Sequence, residues 1–174
     1  EYFRAGISLE NDLDSEAKLL AATVKYRELA QKTKDVDVIA GYIRELEDLE
    51  VANRVYLDAN LPMQAWLLFT RASLHDKRAM LRDEDKSLIL SGGLRRQELK
   101  MAIMLNERAH GVIEKYPNLV EMMRVFPNIA DPSILARRSA MNLSATYGSD
   151  SHERSIWLDH SLWFSKIACD LAER

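Results

Sequence analysis

The stretch Pro62–Arg82, PMQAWLLFTRASLHDKRAMLR, decides how this chain has to fold. At 100° per residue its apolar side chains fall on two ridges rather than one. Met63, Leu67, Leu74 and Leu81 form the first; Ala65, Phe69, Ala72, Ala79 and Met80 form the second, with Leu68 beside it. Only a narrow wedge of Arg71, His75 and Arg78 is left to face water. A helix that is apolar on two sides must be covered on both, so this segment is expected to be a central helix with neighbours on either flank.

Upstream the pattern stays helical. Residues 8–34 carry Leu9, Leu13, Ala17, Leu20 and Val24 at turn spacing, a stripe expected to face the core, with Ser8 as the cap. Residues 36–60 divide their apolar side chains between two faces, Ile39, Tyr42, Ile43 and Leu46 on one and Leu49, Ala52, Val55, Tyr56 and Ala59 on the other. That slip implies either a tight hairpin near Glu47-Asp48 or one helix that changes partners halfway. Strong helix formers through the slip, with no glycine, favour the single helix. Asn60-Leu61-Pro62 then breaks the chain, and Pro62 suits the first turn of the central helix.

Within this region Leu46–Pro62, LEDLEVANRVYLDANLP, resembles the second helix of a tetratricopeptide or half-a-tetratricopeptide repeat. Ala52, Tyr56 and Ala59 stand at small–aromatic–small positions, and Trp66 stands where a following repeat would begin. The resemblance implies a helix pair that binds peptides. No second copy follows at the ~34-residue period of such arrays, so an ordinary bundle helix accounts for it.

Downstream, Asp83-Glu84-Asp85 suggests a short helical turn to Leu90, and Ser91-Gly92-Gly93 is the strongest breaker. Leu94–Tyr116 lines up Leu94, Met101, Leu105, Val112 and Tyr116, flanked by Ala102, Ala109 and Ile113. A short amphipathic piece, 118–126, lies between two prolines. Asp131-Pro132 opens a helix to about Tyr147, with Ile134, Met141 and Ala145 expected inward. After a turn at Gly148-Ser149-Asp150, a last helix carries Ile156, Trp157, Trp163, Phe164, Ile167 and Leu171. No segment alternates as a strand would. The expected fold is all-α: residues 1–174 as one domain, a helical bundle or irregular helical array of about six to seven helices.

Composition fits this reading. Of 174 residues, 47% are hydrophobic and 29% charged, which is globular and neither disordered nor fibrous. A net charge of −3 gives no electrostatic case for nucleic acid. No apolar run approaches the ~18 residues of a membrane span. The chain opens at Glu1 rather than at a methionine, which leaves room for an upstream anchor. Its one cysteine, Cys169, has no internal partner and no motif that would make it a nucleophile, so a structural role is expected.

Several residues suggest sites. Glu107 and His110 have the Glu-x-x-His spacing of carboxylate-bridged metal bundles, but the required second copy is missing. Both project away from Leu105 and Val112, so a solvated polar face is expected and no metal or other cofactor. Arg95 and Arg96 follow the glycines and are expected to be exposed. His160 interrupts the aromatic face of the last helix, Glu153 lies two turns earlier on the same side, and Glu98 interrupts the apolar line of its own helix. A buried acid or imidazole needs a partner. Glu98, Glu153 and His160 are therefore the ligand-pocket candidates. Trp157, Trp163, Phe164, Tyr56 and Trp66 are the interaction-surface candidates, because large aromatic side chains dominate interfaces as well as cores.

No constellation reaches catalytic specificity, whereas apolar stripes are abundant. The expected function is a non-enzymatic helical interaction module that binds a partner peptide, a protein subunit or a second copy of itself through an aromatic helix face or groove. The alternative is an extracytoplasmic helical sensor domain of a membrane-anchored protein that takes a small ligand. An enzyme with a buried Glu/His pocket ranks third.

Overall fold

The computed structural model describes residues 2–126 and 128–173, with side chains from residue 12 onward except that of residue 119. Eight helices follow one another among these residues: α1 (Tyr2–Lys32), α2 (Val36–Ala52), α3 (Arg54–Ala59), α4 (Leu61–Met80), α5 (Gly92–Lys115), α6 (Leu119–Val125), α7 (Asp131–Ser144) and α8 (His152–Ala172). There is no strand among them, and the fold is all-α. Local chemistry starts several of the helices. The Asp35 carboxylate accepts the backbone N–H of Asp37 at 2.8 Å and of Val38 at 3.2 Å, capping α2. Asn60 does the same for Met63 at 3.1 Å at the start of α4, and Pro62 and Pro132 occupy the first turns of α4 and α7.

The central position of α4 follows from its two ridges. Met63, Leu67, Leu74 and Leu81 are buried, as are Ala65, Leu68, Phe69, Ala72 and Ala79. Each large side chain so placed contributes about 1.5–3 kcal/mol. The main cluster joins α4 to α1, α2, α3, α6 and the later part of α5. The second joins the end of α4 to Leu99 and Ile103 of α5, to Ala136, Ala140 and Leu143 of α7, and to Phe164 of α8.

The structure corrects the expected wedge. Arg71 and His75 are only 6% and 7% exposed, and Arg78 is largely covered. Water is largely kept from this third side because α2 and α5 bring carboxylates over it. The helix is covered on this side as well, and Ser73 and Lys77 keep partial exposure beside α1 and α7.

Other faces turn out rotated from the expected ones. In α1 the inward residues are Leu19, Thr23, Tyr26 and Ala30, whereas Leu13, Leu20 and Val24 of the expected stripe are 60%, 42% and 44% exposed. Thr23 faces inward because its hydroxyl accepts the Trp66 indole N–H at 2.9 Å, while the Tyr26 ring stacks on Tyr42 at 5.0 Å. The helix begins before Ser8, whose side chain, like that of Leu9, lies outside the described residues. In α7, Ile134, Met141 and Ala145 point outward, and Ser133, Ala136, Ser139, Ala140 and Leu143 point inward. Small and hydroxyl side chains let α7 approach α5 and α8 closely. In α5 the buried set is Leu99, Ala102, Ile103, Leu105, Asn106, Ala109 and Ile113, while Leu94 is exposed.

Two connections also differ. The 36–60 segment continues past Glu47-Asp48 and breaks at Asn53, whose side-chain amide donates to the Leu49 carbonyl at 2.9 Å. Residues 83–90 form a tight loop rather than a helical turn, with Arg82 bridged to Leu88 and Lys86 at φ 62°. The Ser87 N–H donates to the Asp83 carboxylate at 2.8 Å, a local bond that competes with helix.

Candidate functional site

The polar residues of α4, themselves buried or largely covered, form pairs that tie the surrounding helices to it. Arg71 donates to Glu47 at 2.6 Å and also to Glu50, both on α2. His75 Nδ1 lies 2.6 Å from Glu98 of α5, whose other carboxylate oxygen accepts from Arg78. Arg78 in turn donates Nε to the Val36 carbonyl at 2.9 Å, fixing the start of α2. Burial pushes the Glu98 carboxyl up, but His75 and Arg78 together outweigh it and hold the group below its ordinary value. On the opposite side Asp76 accepts from Ser139 and Arg138 of α7. These groups are committed to one another. His75 and Glu98 line neither the cleft between α1, α4 and α7 nor the groove beside α2. Their geometry is that of a structural cross-link.

Glu98 therefore does not meet the other two pocket candidates. Glu153 is exposed at the start of α8, where the Ser151 hydroxyl donates to it at 2.5 Å and holds its carboxyl below the ordinary value. His160 lies half-buried between the rings of Trp157 and Phe164, at 5.2 and 6.4 Å. No hydrogen bond or ion pair joins Glu98, Glu153 and His160 among the described residues. The carboxylate that does face His160 is Glu107 of α5: burial raises its pKa, and the imidazole partly offsets that rise. Glu107 and His110 are accordingly half-buried toward α8 and not on a solvated face; His110 borders a small recess with Ile167 and Leu171. Among the described residues no group of three His, Cys, Asp or Glu side chains could hold a metal ion.

The five aromatic candidates separate into core and surface. Trp66 is buried, edge-on to Phe126 at 5.2 Å and tilted against Phe69 at 5.9 Å. Tyr56 is buried, its hydroxyl accepting from Asn60 at 2.5 Å and hydrogen-bonded to Glu16. Phe164 is buried in the second cluster and Trp157 packs partly against it. Of the five, Trp163 alone stands substantially in solvent, 51% exposed beside exposed Ile156 and Leu162. Cys169 is also exposed, so it does not serve the core. Arg96 is half-buried, bonded to Thr146 and laid 4.5 Å from the Tyr147 ring centre, where an exposed arginine was expected.

Two surface features were not legible beforehand. One is the outward ridge of α1, where Ala17, Leu20, Ala21, Val24 and Leu29 line a shallow groove. The other is a cleft of about 490 Å³ between α1, α4 and α7, walled by Phe69, Leu74 and Leu135 and edged by Arg27, Lys77 and Arg138. Its components come from three helices far apart in sequence.

The arrangement defines an all-α protein with a largely buried central helix. In comparisons with known proteins the chain matches no family model, no curated protein and no solved structure. No described helix is long and apolar enough to cross a membrane.

Proposed function

We propose that this chain is a non-enzymatic helical interaction module whose contact surface is the outer ridge of α1. The observation that carries the reading is the alignment of exposed Leu13, Leu20 and Val24, with Ala17 and Ala21 between them, on a helix whose inner face is already occupied. The ridge runs about 16 Å along the helix axis. A stripe of that kind is covered when another helix lays its own apolar stripe along it.

The charges on α1 select the partner. On its exposed side, Asp12 and Asp14 occupy its earlier part, Asp14 paired with Lys18 at 2.5 Å, and Lys25 and Lys32 its later part, with Glu28 between them. An antiparallel second copy would set Leu13 against Val24 and Ala17 against Leu20, with Asp12 opposite Lys25. A parallel copy would stack like charges. We therefore take the partner to be a second copy of this chain. Sedimentation velocity up to about 100 µM protein is expected to show a dimer that Leu20→Glu abolishes without lowering the melting temperature. A wild-type chain that stays monomeric throughout that range would overturn the reading.

The cleft between α1, α4 and α7 favours a second reading, a helical sensor domain that takes up a small ligand. Its volume of about 490 Å³ falls within the range of such sites.

A further inference from the structure

The walls of that cleft say what kind of molecule would fit. Phe69, Leu74 and Leu135 give it a buried apolar floor. Arg27 of α1, Lys77 of α4 and Arg138 of α7 edge it, and Asp131 supplies the one carboxylate among its lining residues. Three cations face one anion in a chain whose net charge is −3. The excess is local.

The three cations are held differently. The Arg27 guanidinium lies 4.8 Å from the Trp66 ring centre and 5.4 Å from that of Phe69, which seats it against the wall. Arg138 is partly neutralised by Asp76 behind the floor, through the bond at 2.5 Å. Lys77 makes no hydrogen bond or ion pair among the described residues, so its ammonium is uncommitted. One uncommitted cation, one half-neutralised and a carboxylate nearby suit a single negative charge better than a dianion.

We infer that the cleft binds a small organic carboxylate, its apolar body on Phe69 and Leu74 and its charged end between Lys77 and Arg138. The inference deepens the ligand-binding reading and does not depend on the α1 ridge.

The test is a titration with 4-phenylbutyrate, followed by amide resonances in ¹H–¹⁵N spectra. 4-Phenylbutyramide serves as the uncharged analogue of the same shape. Saturable shifts are expected at Ala30, Ser73 and Ile134, with the amide analogue bound about tenfold more weakly. Lys77→Gln should weaken the carboxylate by about the same factor and leave the amide analogue unchanged. Because Lys77 bonds to nothing among the described residues, the variant should melt with the wild type. Ile134→Glu, at an exposed position, should also repel the carboxylate selectively. Equal binding of the two probes, or an affinity indifferent to Lys77→Gln, would overturn the carboxylate assignment while leaving a ligand cleft. Absence of saturable shifts with either probe would overturn both.

Discussion

Asp76 accepts the Ser139 hydroxyl at 2.7 Å across the α4–α7 contact, and both side chains are buried. A carboxylate at that depth is tolerated only while donors surround it. Ser139→Ala removes one of them and is expected to cost about 1.5–3 kcal/mol, read from chemical denaturation. An unchanged midpoint would mean that Arg138 alone satisfies the carboxylate.

Acid should weaken the fold through Glu98. Its folded-state pKa is depressed, so the stability it confers is present above the ordinary carboxylate range and is lost as pH falls through the lower, folded value. Glu98→Gln should therefore flatten the acid limb of a stability–pH profile and lower stability at neutral pH, because His75 and Arg78 lose their partner. A variant whose acid limb parallels that of the wild type would contradict this.

Alkali should act through two tyrosines. Hydrogen bonding to Glu45, with burial, raises Tyr26 to about 12, and burial, with Glu16, raises Tyr56 to about 12. Both keep their protons in the folded state at a pH where the unfolded chain has lost them, so stability falls as pH rises from about 10 toward 12. Titration of the phenolate absorbance should show these two ionising late. Tyr26→Phe should reduce the alkaline loss, and a wild-type curve with all tyrosines titrating together would refute the assignment.

Two adjacent aromatics on α8 should respond oppositely. Phe164→Ala empties a core position and is expected to cost about 3–5 kcal/mol. Trp163→Ala removes a half-exposed ring and should shift stability by about 1 kcal/mol or less. Comparable losses at both would mean that Trp163 is buried in solution, for instance against a second copy.

The central helix was legible because its apolar residues are large and periodic on two sides, which leaves no alternative to burial. Its polar wedge was misread for a physical reason. Helical projection sorts residues by apolarity, and a buried Arg71 or His75 looks like a solvated one until Glu47, Glu50 and Glu98 arrive from other helices. The faces of α1 and α7 were misplaced for a related reason. Thr23 and Ser139 are small or polar yet inward, because Trp66 and Asp76 supply a bond to each. Among the candidate residues, Trp66 and Tyr56 are core anchors whose hydroxyl and indole groups find partners inside. The convergence of Arg27, Lys77 and Arg138 has no local signature, since each comes from a separate helix.

The order in which the helices adjoin also bears on how the chain assembles. The most extensive packing joins α4 to α5 and α7 to α8, neighbours in sequence, so most native contacts close short loops and rapid folding is expected. The Thr23–Trp66 bond, by contrast, spans 43 positions. The opening helix should therefore dock last and detach first, and its amides should be the earliest of the long helices to exchange with deuterated solvent. Exchange as slow there as in α4 would show instead that the whole molecule opens as one unit.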